Sequence, residues 1–176
     1  GAEVADILVQ RLAQVIEKAG DCQVILSSSW RRPHHRNRRR SLENRIAQHL
    51  GKPFQFHSAT PMYREERTAA DRLETVGDYV ADFCTDNKDK ISSLRVLMLE
   101  DFFITPMDGW KSRGQACSSV TGAERALAGY AKSLPASDVH VKICHCYSEV
   151  TCGNLKMQVG TGLTQRLFEE AKNFVG

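Results

Sequence analysis

At 176 residues, 41% of them apolar and 26% charged, the chain has an ordinary globular composition and enough length to bury a core. No stretch approaches the roughly 18 consecutive apolar residues of a membrane-spanning helix, and the amphipathic, early-acidic start does not read as a secretory leader. The net charge of +3 is too small to imply a polyanionic partner by itself, yet Arg31, Arg32, Arg36, Arg38, Arg39 and Arg40 crowd into one run with His34 and His35. Cys22, Cys84, Cys117, Cys144, Cys146 and Cys152 follow no small secreted framework, so they read as reduced thiols of an intracellular, cytoplasmic protein.

In chain order, Val4, Ile7, Leu8, Leu12, Val15 and Ile16 predict a helix over 2–19 that stops at Gly20. The apolar run 22–28, ending in Ser27, Ser28 and Ser29, predicts a strand buried on both faces. Ser41 is placed to cap a helix over 42–50, closed by Gly51. The segment 52–61 reads as a second, weaker strand. Leu73, Val76, Tyr79, Val80 and Phe83 form one face of a helix over 63–84. Residues 94–100 are the clearest strand, stopped by Glu100 and Asp101. Residues 102–122 read as loop, 123–133 as a short helix, 139–147 as a strand and 154–159 as a short extended piece. A terminal helix follows, capped by Thr164, with Leu167, Phe168, Ala171 and Val175 inward. Strands alternating with helices predict a single α/β domain, a Rossmann-like three-layer sandwich with a mostly parallel central sheet and no clear internal boundary. In such sheets ligands bind at the carboxyl ends of strands.

Two strand ends are chemically unusual. One delivers Ser27 and Ser28, followed by Arg31 and Arg32; hydroxyls, backbone N–H groups and guanidinium forks suit a phosphate, and a plain turn is the alternative. The other delivers Glu100 and Asp101. Adjacent carboxylates repel unless a cation or base sits between them, and such oxygens suit Mg2+; the alternative is an exposed loop start paired with Arg or Lys.

These two segments, VILSSSW and VLMLED, resemble the second and fourth motifs of the haloacid dehalogenase superfamily. The resemblance implies a Mg2+-dependent phosphomonoesterase in which Ser28, with Ser27 as runner-up, holds the phosphoryl group, and Glu100 with Asp101 positions the metal. Arg72 would neutralise charge, with Arg64 and Arg67 as alternatives. The spacing Arg72, Val76, Tyr79, Val80 is similar to a subgroup of small domains of this superfamily, some found in RNA-repair polyproteins; the SSSWR and terminal GLT segments look alike too. Thr75 stands where that subgroup has Glu, and Glu100 where Asp is usual. The likeness covers residues 3–104 and 155–175, leaving 105–150 as an insertion. The superfamily's first motif, a strand ending in D-x-D, supplies the nucleophile, and no D-x-D occurs in this sequence. That strand would precede the helix at 2–19, so the chain as it stands is expected to lack turnover, either because its first strand is missing or because catalysis is lost.

The basic run suggests a second reading, a non-enzymatic module in which Arg31, Arg32 and Arg36 contact an anion or nucleic acid, with salt-dependent and largely sequence-independent affinity. No aromatic residue interleaves the arginines to stack on bases, and a solvated loop is the alternative. The partner would be a phosphorylated small molecule or a phosphorylated nucleic-acid end. Cys144, His145, Cys146 and Cys152 hint at zinc, but strand alternation turns His145 away from Cys144 and Cys146, which favours core thiols. His57, His140, Trp30 and Trp110 read as structural.

Overall fold

The protein is described by a computed structural model over residues 4–62, 65–66, 69–101, 110–112, 115–117 and 119–176, with backbone alone over 110–112, 115–117, 147–152 and 156–160. Its elements are α1 (Asp6–Ala19), β1 (Ile25–Leu26), α2 (Arg36–Leu50), β2 (Ser58–Ala59), α3 (Ala69–Asp86), β3 (Leu94–Glu100), β4 (Trp110–Ser112), β5 (Gln115–Cys117), α4 (Val120–Ala128), β6 (Val139–His145), β7 (Tyr147–Cys152), β8 (Leu155–Gly160) and α5 (Gln165–Val175). Where the sequence offered no boundary, the chain divides into two compact units: residues 1–60 with 162–176, and residues 61–161.

In the first unit α1 packs against α2 and α5. Apolar residues at helical spacing on α1 bury Val9, Ala13 and Val15, and Gly20 ends the helix at a φ of 74°, a value that favours glycine. Val9, Ala13 and Ile46 form a core joined by Leu12, Ile16, Leu42, Phe54 and Phe56. The strand expected over 22–28 pairs at only two positions, Ile25 with Ser58 and Leu26 with Ala59, in parallel.

The largest correction concerns α2. It begins at Arg36, so Ser41 is an interior, exposed residue and not a cap, and the basic run is helical from Arg36. Arg is a good helix former, and Pro33 opens a 3-10 turn over Pro33–His35 that feeds the helix with its φ already set. Gly51 closes α2 in the left-handed conformation. On α5 the expected cap is present, the Thr164 hydroxyl accepting from the Leu167 N–H at 3.3 Å, while Leu167, Phe168 and Ala171 are buried.

In the second unit β3 and β6 pair in parallel over seven positions, from Leu94 with Val139 to Glu100 with His145. Leu73, Val76, Val80 and Cys84 of α3 pack with Met98, Leu127, Tyr130 and Ile143. The Tyr130 ring lies where a side chain on Gly77 would be: a Cβ there would meet Cζ at 2.5 Å. The Glu124 carboxylate of α4 accepts the Ile143 N–H at 2.7 Å, so a helix side chain satisfies a donor of β6. Residues 120–145, expected to be insertion, therefore supply part of this unit's core. Within the stretch expected as loop, β4 and β5 form an antiparallel pair; β7 and β8, the latter on the expected short extended piece, form another.

The chain is thus a mixed α/β structure with two short parallel pairs. The expectation that both chemically unusual strand ends close one central sheet is not met among the described residues, where β1 pairs with β2 and β3 with β6, with no ladder joining the pairs. No helix among the described residues is long and apolar enough to cross a membrane.

Candidate anion-binding site

In the first unit the parallel strands β1 and β2 end side by side, and their next residues carry hydroxyls. Thr60, buried, donates its Oγ1 proton to Ser27 Oγ at 3.2 Å. Arg31 Nη1 donates to Thr60 Oγ1 at 2.6 Å and to the Ser27 carbonyl at 2.8 Å, pinning the two strand ends together. Ser28 acts elsewhere, its Oγ accepting the Trp30 N–H at 3.2 Å and so capping the 3-10 turn Ser29–Arg31. The residue expected to hold phosphate is therefore a turn cap, Ser27 belongs to the hydroxyl pair, and Arg31 braces the fold. Arg32 is exposed between the two 3-10 turns.

The arginines that follow are arranged by the helix. Arg36, Arg39 and Arg40 lie at i, i+3 and i+4 on one face of α2 and line a cleft of about 330 Å3 with Glu43, Gln55, Phe56 and the β2 residues Ser58 and Ala59. Among the described residues none of the three arginines forms an ion pair or a side-chain hydrogen bond. Cations near a helix N-terminus oppose the helix dipole, and α2 has no acid in its first turn and no side-chain cap. Glu43 Oε2 accepts the Phe56 N–H at 2.8 Å, which holds the segment before β2 against the helix. The cleft is thus a concave, positively charged site whose charge costs the helix stability when empty of anions. Burial, then the neighbouring His34, Arg38 and Arg32, lower the pKa of His35 at the start of this helix.

In the second unit Glu100 closes β3 and is buried, 4% exposed. Its Oε1 accepts the Asp101 N–H at 2.9 Å, and its Oε2 lies 3.7 Å from Arg72 Nη1. Arg72 Nε donates to Glu66 Oε2 at 2.6 Å, so one guanidinium on α3 serves two buried carboxylates. Asp101 is exposed. Arg72 and Glu100, chosen from the sequence for separate roles, are thus brought together, but with each other as partners. The pair as placed fits an internal ion pair, and among the described residues no group of three or more acids, histidines or cysteines gathers where a metal ion could be held. Arg64 and Arg67 lie outside the described residues, as do the side chains of Trp110, Cys117 and Cys152.

The thiols near this strand are packing groups. Cys144 and Cys146 are buried, and burial, then the charge of Cys144, Asp101 and Glu100, pushes the Cys146 thiol up to about 12. His57 and His140 are exposed, and His145 and Trp30 are half-buried.

Thr60, Phe56 and Glu66 were not singled out from the sequence, and Arg39 and Arg40 only as members of the basic run. Thr60 had a signal, a hydroxyl after a strand that parallels the one ending in Ser27. Arg39 and Arg40 needed only the helix to be extended back to Arg36. Phe56 meets the arginines through the fold, and no local pattern announces that. Comparison with protein-family models, with curated proteins and with solved structures gives no match.

Proposed function

We propose that the first unit binds a phosphate-bearing anion in the cleft beside α2, and that the chain works as an arginine-rich binding module. The observation that carries this reading is the alignment of Arg36, Arg39 and Arg40 along one cleft, without protein carboxylates paired to them among the described residues. Guanidinium forks match phosphate oxygens two at a time, and an anion there would also offset the repulsion among the arginines and with the helix dipole. Retention on a heparin column tests the reading. The native chain should elute at clearly higher salt than an R36Q/R39Q/R40Q variant. Elution of the native chain with a neutral control protein would remove it.

A second reading is a phosphohydrolase domain of the haloacid dehalogenase kind, with the three-layer α/β architecture of that superfamily. The paired hydroxyls of Ser27 and Thr60 at the ends of two parallel strands favour it. Such chemistry needs a carboxylate nucleophile, and the sequence contains no D-x-D. The binding reading expects no cleavage of p-nitrophenyl phosphate by this chain in millimolar Mg2+. Steady turnover that is lost in S27A would favour the second.

A further inference from the structure

We infer that the ligand of the α2 cleft is a nucleoside phosphate, a phosphate joined to a flat nitrogen base, taken either free or as the terminal unit of a strand. The inference rests on the binding reading above and concerns the walls of the same cleft. A site for a bare inorganic anion needs hydrogen-bond donors and positive charge, and has no use for an aromatic wall. Here the three arginines share the cleft lining with an aromatic residue, Phe56, an aliphatic one, Leu26, and an acidic one, Glu43. A carboxylate in a phosphate site weakens the binding of any anion, whereas it can accept from a ligand that carries N–H donors as well. Glu43 uses Oε2 for the Phe56 N–H and, among the described residues, forms no ion pair with the cleft arginines. An ionised carboxylate has more acceptor positions than that one bond fills, and a base edge carries the N–H donors that would suit them.

The other contacts agree. Aromatic rings accept bases by stacking regardless of base identity, and half-buried Phe56 is among the lining residues and meets the Phe54 ring edge to face at 5.5 Å. The Gln55 amide offers a donor and an acceptor on the same wall. At about 330 Å3 the cleft is at the small end of ligand sites, suited to one nucleotide unit and not to a long duplex surface. Sequence alone set no aromatic beside the arginines; the fold brings one from the segment before β2.

The test is titration of the full chain with AMP, CMP, inorganic phosphate and a 5′-phosphorylated tetranucleotide, with F56L and E43Q in parallel. AMP should bind about tenfold or more tightly than inorganic phosphate, the size of gain that stacking of one base supplies. F56L keeps the apolar bulk of the core and should bring AMP down toward phosphate while leaving phosphate unchanged. E43Q retains an acceptor for the Phe56 N–H, and should bind phosphate more tightly and so narrow the ratio. Tetranucleotide affinity equal to that of AMP would assign a single terminal unit, and tighter binding a strand that continues past the cleft. Equal affinity for AMP and phosphate, or a ratio unmoved by F56L and E43Q, overturns the inference and leaves the binding reading standing. Binding of none of the four ligands overturns both.

Discussion

Arg31 donates to the Thr60 hydroxyl at 2.6 Å, and the same nitrogen reaches the Ser27 carbonyl at 2.8 Å. One guanidinium thereby joins the ends of β1 and β2, a pair whose ladder has only two registered positions. So short a parallel pair has little strength of its own, and the bonds at its tip hold the strands in register. Thr60→Val keeps the shape and deletes the hydroxyl. It should cost about 1.5–3 kcal/mol, the usual penalty when a bond to a charged donor is lost, read as a lower urea midpoint with unchanged slope.

Arg72 stands between Glu66 and Glu100, both nearly excluded from water. Removing the cation leaves two buried carboxylates without it. Arg72→Met should destabilise the protein by about 3–5 kcal/mol, whereas Glu100→Gln, which keeps an acceptor for the Asp101 N–H, should cost less. Equilibrium unfolding of both variants decides this. Because Arg72 offsets the Glu100 charge, millimolar Mg2+ should leave the melting temperature of the native chain unchanged.

Gly77 faces the Tyr130 ring so closely that a methyl group cannot enter without moving it. In an exposed helix Gly→Ala stabilises; here Gly77→Ala should destabilise by about 1–3 kcal/mol through overpacking. Tyr130→Leu in the same background should recover part of that loss. A thermal melt of the two variants checks the sign, and a stabilised Gly77→Ala would show that the ring does not fill that space.

The Cys146 thiol titrates near 12 in the folded chain, above the ordinary value for a thiol of about 9. Protons are then released by the unfolded chain first as pH rises. Stability from this group is fully present below pH 9 and declines through the window from about 9 to 12. Cys146→Ser should flatten that decline. At neutral pH iodoacetamide should alkylate exposed Cys22 well before buried Cys84, Cys144 and Cys146, as mass mapping of the native chain would record.

Strong periodicity made several elements readable in advance. β3 lies where its apolar run ends at Glu100, and α5 carries the Thr164 cap and the buried Leu167, Phe168 and Ala171. The basic run was harder, because the first turns of α2, before the stripe of Leu42, Ile46 and Leu50, carry no apolar residue; there the helix rests on the propensity of arginine and on the Pro33 turn. The strand near 22–28 was over-read, since an apolar run does not say how many of its residues find a partner. At the sites, residue types were legible and partners were not. Nothing local to Glu100 says that Arg72 reaches it from another element, and nothing local to Phe56 says that a core residue also lines a cleft with Arg36, Arg39 and Arg40.

Calorimetric titration of the intact chain with inorganic phosphate, beside Arg39→Gln, tests the anion cleft most directly. Binding should be saturable and weaken as salt rises. It should fall about tenfold in the variant, the loss of roughly 1.4 kcal/mol expected for one charge-assisted contact. Native chain and variant binding phosphate alike, or no heat from the native chain at millimolar phosphate, would contradict it.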